Sequence, residues 1–384
     1  MHGDLVSYGR LVCEKYDQCG FKLHRPCEWT VLAGIIQVDE GTKVNKVVSL
    51  GTGLKCLPLA AYSKGQLGHQ LVRDMHAEVL ARRGLVAYLC QELQQARDDS
   101  SPVIEKRDED GLFGVRKGVR FVMYISQAPC GDASMHLLPP HDAKGVVEGP
   151  VKRAKVLRGR SQVAHRGLRT KPGRADAPPC ASLSCTDKIA LWSCLGWQGA
   201  ALRTALQSPV RVEEFIIGER FSLEQCETSI SHRVSSVDAS IVLTFHGTRD
   251  DLFKYSRKRV LNSSAAGDEF KLIPASVAQV WYEGGVAETL VEGRKLGAAK
   301  PKNGLLPLKS RSSLCTQALV KGDVRMTKQA NQRYQRRKAE LFLGGEGVFV
   351  GWTVSDPIMS DHRTNLFHGQ GQLLVQDVAD NLGA

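Results

Sequence analysis

No stretch of this chain approaches the ~18 consecutive apolar residues that would cross a bilayer, so no membrane partner is expected. Its first residues, MHGDLVSYGRLVCEKY, lack a basic segment followed by an apolar one, and no secretory signal is expected there. There is no internal repeat, which sets aside solenoids and propellers. The cysteines lack the even, clustered spacing of a disulfide scaffold. There are 11 of them, an odd number, scattered through 384 residues of which 42% are hydrophobic. That usage points to a reducing, intracellular setting, nucleus or cytoplasm, where most cysteines pack as small hydrophobes and a few bind metal. Acidic residues are in deficit: 40 Asp and Glu against 52 Lys and Arg leave a formal charge of +12. Such a balance suits a polyanionic partner, nucleic acid first, although solubility alone is the plainer account.

What is present alternates between strands and helices. EWTVLAGIIQV and NKVVSLGTGLKC read as two strands with turn residues between them. RDMHAEVLARRGLVAYLCQELQQAR has helical periodicity through Val79, Val86, Leu89 and Leu93, with Asp74 placed to cap it. VRFVMYISQAPC is an apolar strand, and a short helix is expected from GDASM. Residues 139–180 are rich in Pro, Gly, Lys and Arg and read as an irregular basic insertion. SCTDKIALWSCLGWQGAALRTAL predicts one long helix with Ile189, Trp192 and Leu195 on one face. RVEEFIIG predicts a strand, and TKQANQRYQRRKAELFL a very basic helix. Residues 250–310 give no clear pattern. Strands alternating with helices indicate an α/β layer fold, and no break in composition divides the chain.

The chemistry-bearing residues are few. His76 and Glu78 form H-x-E, and Pro129 and Cys130 form P-C at a strand-to-helix junction. H-x-E…P-C-x-x-C is the signature of zinc nucleobase deaminases, but here the position three after Cys130 is Ala133. A catalytic zinc takes three protein ligands and a water, so a third ligand must come from elsewhere. Cys185 is the best placed, because it starts a helix, and a helix N-terminus favours the thiolate. Cys180 and Cys194 stay open as weaker candidates. In such a site a carboxylate that does not ligate the metal carries the water's proton, the role that suits Glu78. Asp74 would receive the other ring N–H of His76. The plainer reading is an exposed helix with an ordinary Glu78–Arg82 ion pair four residues apart.

DMHAEVLARRG, APCGDASM, LRTKPGRAD and SCTDKIALWSCLGWQGAAL together resemble the adenosine deaminase domain shared by RNA-editing enzymes and tRNA-specific deaminases. EWTVLAGIIQV, VVSLGTGLKC and YQRRKAELF followed by Trp352 extend the likeness over nearly the whole chain, in order. The resemblance implies an α/β fold with a cytidine-deaminase-like three-layer core and a helical C-terminal elaboration. It implies one domain over residues 1–384, with the core at 28–245 and the elaboration at 246–384. It implies His76, Cys130 and Cys185 as zinc ligands and Glu78 as the proton carrier, with a zinc-activated water replacing the amine at C6 of adenine to leave inosine. It also implies a buried inositol hexakisphosphate held by Arg82, Arg83, Lys188, Lys328, Tyr334, Lys338 and Trp352. Asp74, Lys188 and Lys171 would relay between the histidine and the phosphates, so part of the positive charge would face inward.

Within that family the resemblance points to the tRNA branch, acting on the adenosine 3′ of the anticodon in the anticodon stem-loop of tRNA-Ala. The motifs begin near residue 28, leaving no room ahead of them for a duplex-RNA binding domain. The stretch from Lys171 to Cys185 is short and offers no glutamate to fill the gap left by a flipped base, which suits a base already unstacked in a loop. Phosphate contacts are expected from the basic insertion, at Arg169 and Arg174, and from Lys55, with salt-sensitive binding. No obligate protein partner is expected. Met75, Leu191 and Ala200 depart from the family pattern, the last two near the inositol phosphate. The alternatives are a duplex-RNA editor without accessory domains, an inactive RNA-binding relative with structural zinc, and a free-nucleoside deaminase.

Overall fold

The structure is a computed structural model that describes residues 2–21, 25, 27–62, 67–107, 111–137, 157–158, 168–171, 177–178, 180–203, 205–249, 252–263, 272–321 and 341. Its centre is a mixed eight-stranded sheet. In chain order the strands are β1 (Leu32–Asp39), β2 (Val44–Thr52), β3 (Val119–Gln127), β4 (Val212–Glu219), β5 (Thr244–Gly247), β6 (Ala278–Tyr282), β7 (Glu288–Val291) and β8 (Arg294–Lys295). In space they run β5-β4-β3-β1-β2-β6-β7-β8. β3, β4 and β5 are parallel neighbours, whereas β1 is antiparallel to both β2 and β3. Almost all of β1 is buried, as its continuous apolar run requires of a strand covered on both faces.

Side chains alternate between those faces along each strand. Ala33, Ile35, Val48, Met123, Ile125, Phe215 and Ile217 face one way. They pack against helix α2 (Ala77–Arg97) and helix α3 (Cys185–Leu195) through Val79, Leu85, Leu89, Ile189 and Trp192. Leu32, Ile36, Val38, Val47, Val122, Tyr124 and Ile216 face the other way, onto Tyr8, Val12 and Tyr16 of helix α1 (His2–Gln18). Gly51 lets α2 sit close on the sheet: a Cβ there would come within 2.5 Å of Leu80. Among the described residues no helix is long and apolar enough to cross a membrane.

Three expectations are corrected. Asp74 does not cap α2; it lies in a short strand, Asp74–His76, paired antiparallel with Leu54–Cys56, and His76 occupies the cap position. The long helix expected after Ser184 stops at Gly196, which takes φ +99°, and a five-residue helix, Gly199–Arg203, follows. Residues 250–310, unreadable in sequence, supply β6–β8, an antiparallel meander that extends the sheet beside β2. That addition has a consequence for α2. Every residue from Ala77 to Leu89 is buried, because Leu290, Leu306 and Leu314 close over the helix and over Leu57, Val72 and Met75 just ahead of it. Of the expected basic helix near the C-terminus only Leu341, buried in the main core, lies within the described residues.

Candidate metal centre and its buried charges

Three distant points of the chain meet where α2, α3 and the turn after β3 converge. His76 ends its short strand in extended conformation and enters α2, its backbone N–H donating to Asp74 Oδ1 at 3.0 Å. Cys130 follows β3, and the next residue, Gly131, turns the chain with φ +110° into a short 3-10 helix, Asp132–Leu137. A side chain at Gly131 would strike the Ser184 hydroxyl, 2.3 Å from a Cβ placed there, so the turn needs glycine. Cys185 is the first residue of α3, with Ser184 as N-cap accepting from the Asp187 amide. Thr186 ties the two cysteine segments together: its N–H and its hydroxyl each donate to the Cys130 carbonyl at 3.0 Å.

The donor atoms converge. His76 Nδ1 lies 3.7 Å from Cys130 Sγ and 3.7 Å from Cys185 Sγ, and all three atoms fall within 4.8 Å of one another. Around a tetrahedral zinc with the usual bond lengths, imidazole nitrogen and thiolate sulfur would stand about 3.6 Å apart. The spacing therefore fits, and three donors leave a fourth position. Cys185 N–H donates to Cys130 Sγ at 3.4 Å, and Lys171 Nζ donates to Cys185 Sγ at 3.2 Å. A hydrogen bond from Cys185, with Lys171 and His76 nearby, holds the Cys130 thiol well below its ordinary value. Burial and the Cys130 charge push Cys185 up, so without a cation the pair keeps one proton. A divalent metal would ionise both, since a coordinating thiol is deprotonated outright.

Glu78 lies in the first turn of α2 and is 3% exposed. Burial, and then the negative charge of Cys130, push its carboxyl above the usual range; His76 and Lys171 oppose the shift. Asp74 anchors the lysines: its Oδ2 accepts from Lys171 Nζ at 2.6 Å and from Lys188 Nζ at 2.9 Å. Burial resists ionisation of Asp74, but the two lysines outweigh it and hold the carboxyl well below the ordinary range. Burial likewise works against the Lys171 cation, but Asp74 and Cys185 raise it well above its ordinary value. On Lys188 burial and the like charge of Lys171 prevail, and its value falls.

The sequence pattern of the adenosine-deaminase (editase) domain matches residues 49–342. The chain belongs to that family. The chain is 34% identical over 203 residues to tRNA-specific adenosine deaminase 1 of Drosophila melanogaster, covering 48% of this chain and 47% of the relative. It is 38% identical over 168 residues to the protein of the same name from Schizosaccharomyces pombe, 42% of each chain. The double-stranded RNA-specific editase Adar of Drosophila melanogaster is 28% identical over 261 residues, 64% of this chain and 37% of that one. The editase-domain chain thus spans less than half the length of these curated relatives.

The remaining expected residues of this editase domain divide. Arg82 and Arg83 turn inward, as expected. Arg82 Nε donates to the Trp197 carbonyl at 3.1 Å, and its guanidinium lies 4.7 Å from the Trp192 ring centre. Arg83 donates to the Leu314 carbonyl at 2.7 Å; burial and the like charges of Arg73 and Arg82 push it down to about 10. Lys55 is exposed on the strand paired with the one that ends in His76. Arg169 is not on an RNA-facing surface: it is 1% exposed and donates to Asp132 Oδ1 at 2.5 Å. Asp74 receives the His76 backbone amide and two lysines; no contact between its carboxylate and the histidine ring is seen among the described hydrogen bonds. Cys194 packs against the main core, away from the three donors, and Leu191 and Ala200 lie within that core. Lys328, Tyr334, Lys338, Trp352 and Arg174 lie outside the described residues.

Sequence reasoning missed the frame behind Cys185. Asp187 accepts from the Arg169 amide at 2.9 Å, from Ser184 Oγ at 2.7 Å and from Arg233 at 3.1 Å. Ser184 followed three residues later by Asp187 is a helix-start signature that would have found the cap. No sequence signal points to Arg233.

Proposed function

We propose that this chain is a zinc-dependent hydrolytic deaminase of tRNA. It converts the adenosine 3′ of the anticodon in tRNA-Ala to inosine and releases ammonia. The observation that carries the reading is the convergence of His76 Nδ1, Cys130 Sγ and Cys185 Sγ with a buried Glu78 beside them. The two relatives named tRNA-specific adenosine deaminase 1 support the tRNA branch.

His76, Cys130 and Cys185 hold Zn²⁺, which when bound lowers the pKa of a coordinated water toward ~7. Glu78 takes the proton of the attacking water and delivers it to the adenine ring and then to the departing amine at C6. Its raised pKa suits a group that must both accept and donate near neutral pH. Lys171 holds the Cys185 sulfur, and Asp74 fixes the His76 backbone and both lysines. Lys55, exposed beside the centre, contacts RNA phosphate. Inositol hexakisphosphate binds behind the centre, at Arg82, Arg83, Lys188, Lys328, Tyr334, Lys338 and Trp352. The support for it is Arg83, a guanidinium buried among like charges and pushed down to about 10, which an internal polyanion would relieve. We take residues 28–245 as a cytidine-deaminase-like three-layer core within one domain over 1–384, acting inside the cell, in nucleus or cytoplasm.

Sequencing tRNA after incubation with the protein reads adenosine-to-guanosine changes across all substrates at once. A single change 3′ of the tRNA-Ala anticodon is expected, with about one zinc per chain by elemental analysis. Changes only in duplex RNA would make the chain a duplex editor, and no change would make it an inactive relative. Acid extraction of denatured protein should release inositol hexakisphosphate, and its absence removes that ligand.

A further inference from the structure

Cys56 and Cys180 take no part in the proposed chemistry, yet their side chains are in contact. Cys56 ends the strand Leu54–Cys56, opposite Asp74 in the register. Cys180 is 5% exposed, in the loop that leads to Cys185. The Cys56 thiol donates a hydrogen bond to the Cys180 sulfur, which also accepts from the Ser182 amide at 3.2 Å. Ser182 in turn accepts from the Lys171 amide at 2.8 Å. Two sulfurs far apart in the chain thus meet on the rim of the metal centre. One is backed by Asp74 and the other by Lys171.

We infer that Cys56 and Cys180 form a reversible intrachain disulfide under peroxide, and that closing it slows turnover without releasing the metal. The bond itself does not depend on the deaminase reading; its effect on turnover rests on that reading. The Cys180 thiolate attacks hydrogen peroxide, the O–O bond breaks, and hydroxide leaves, giving a sulfenic acid. The Cys56 sulfur then attacks Cys180, the S–O bond breaks, and water leaves with the Cys56 proton. The two thiols lose two electrons and peroxide is reduced to two waters. The hydrogen bond from Cys56, followed by the Ser182 bonds, overcomes burial and brings the Cys180 thiol down to about 6, favouring the attacking thiolate. Burial instead pushes up Cys13, Cys19, Cys90, Cys226 and Cys315, so attack is selective. A disulfide is about 2.05 Å long, well inside hydrogen-bonding separation. Closing it draws the strand and the loop together, and with them Asp74 and Lys171. A displacement of ~1 Å in a catalytic site is enough to cost about 100-fold.

The test treats zinc-loaded full-length protein with hydrogen peroxide, then maps non-reduced peptides by mass spectrometry alongside zinc content. A Cys56–Cys180 linked peptide is expected, cleaved by dithiothreitol, with zinc retained. Turnover on a tRNA-Ala anticodon stem-loop should fall at least ~10-fold and return on reduction. Cys56→Ser should keep its turnover in reductant, form no linked peptide, and let Cys180 proceed to the sulfinic acid. Unreacted thiols, linkage of other cysteines, or sulfinic acid at Cys180 of the unaltered protein would overturn the pair. A linked peptide with undiminished turnover, or with zinc lost, would overturn its action on the centre. If no substrate is turned over in reductant, the deaminase reading fails while the peptide map still decides the bond.

Discussion

Asp187 and Lys188 are neighbours in the first turn of α3, about 100° apart around the helix, and they feed two buried charge networks of different make-up. On the Lys188 side one carboxylate, Asp74, takes two lysines, with a ligand sulfur at 3.2 Å from Lys171 and Glu78 close by. On the Asp187 side two carboxylates meet two arginines, Asp187 with Arg233 and Asp132 with Arg169. Every member of both networks is buried. The balanced set braces the segments that carry Cys130 and Cys185. The lysine-rich set leaves positive charge facing the thiolates and Glu78. Equal burial therefore does not mean equal role; the ratio of cations to acids separates the frame from the working side.

That contrast is open to attack by substitution. The largest effect is expected at Glu78→Gln, which should keep one zinc and lose ~10²- to 10⁴-fold in turnover, the usual worth of a positioned acid–base group. Full turnover in a single-turnover assay would end its role as proton carrier. Asp74→Asn leaves two buried lysines short of their shared anion and should cost about 3–5 kcal/mol in chemical denaturation. Zinc affinity should fall ~10- to 100-fold by competition with a chelator, because Asp74 supports the ligand backbone and Lys171. Asp187→Asn should cost about 1–3 kcal/mol, as a charged hydrogen-bond acceptor is lost. Zinc affinity per folded molecule should then change far less than for Asp74→Asn. If the two aspartate variants weaken zinc equally, the division into frame and working side collapses. The smallest effect is expected at exposed Lys55: the alanine variant should weaken tRNA binding uniformly and lower its salt slope by roughly one unit.

Much of the site was legible because local chemistry wrote it. His76 and Glu78 two apart, Cys130 after a strand and proline, and Cys185 at a helix start each carry their function in their own few neighbours. Arg169 was misread, because a basic residue beside a basic insertion looks solvent-facing until Asp132 and the Asp187 carboxylate are brought against it. Asp74 was misread as a cap and a ring acceptor, because its strand exists only through pairing with Leu54–Cys56. The helix after Ser184 was drawn too long: its apolar content continues past Gly196, and only that residue's left-handed backbone ends it. β6–β8 gave no pattern, since each strand is at most five residues long and is defined by its neighbours in the sheet.

By itself the amino-acid order determined the central strands, the two long helices at the site, and the residue types able to hold a soft divalent metal beside a carboxylate. These follow from periodicity and from donor chemistry, both of which act over a few residues. Only the tertiary structure decided which cysteine completes the set with His76 and Cys130, which arginines turn inward, and which carboxylate meets which cation. Those outcomes depend on distances between segments a hundred residues apart, and burial removes the water that would otherwise make one partner as good as another.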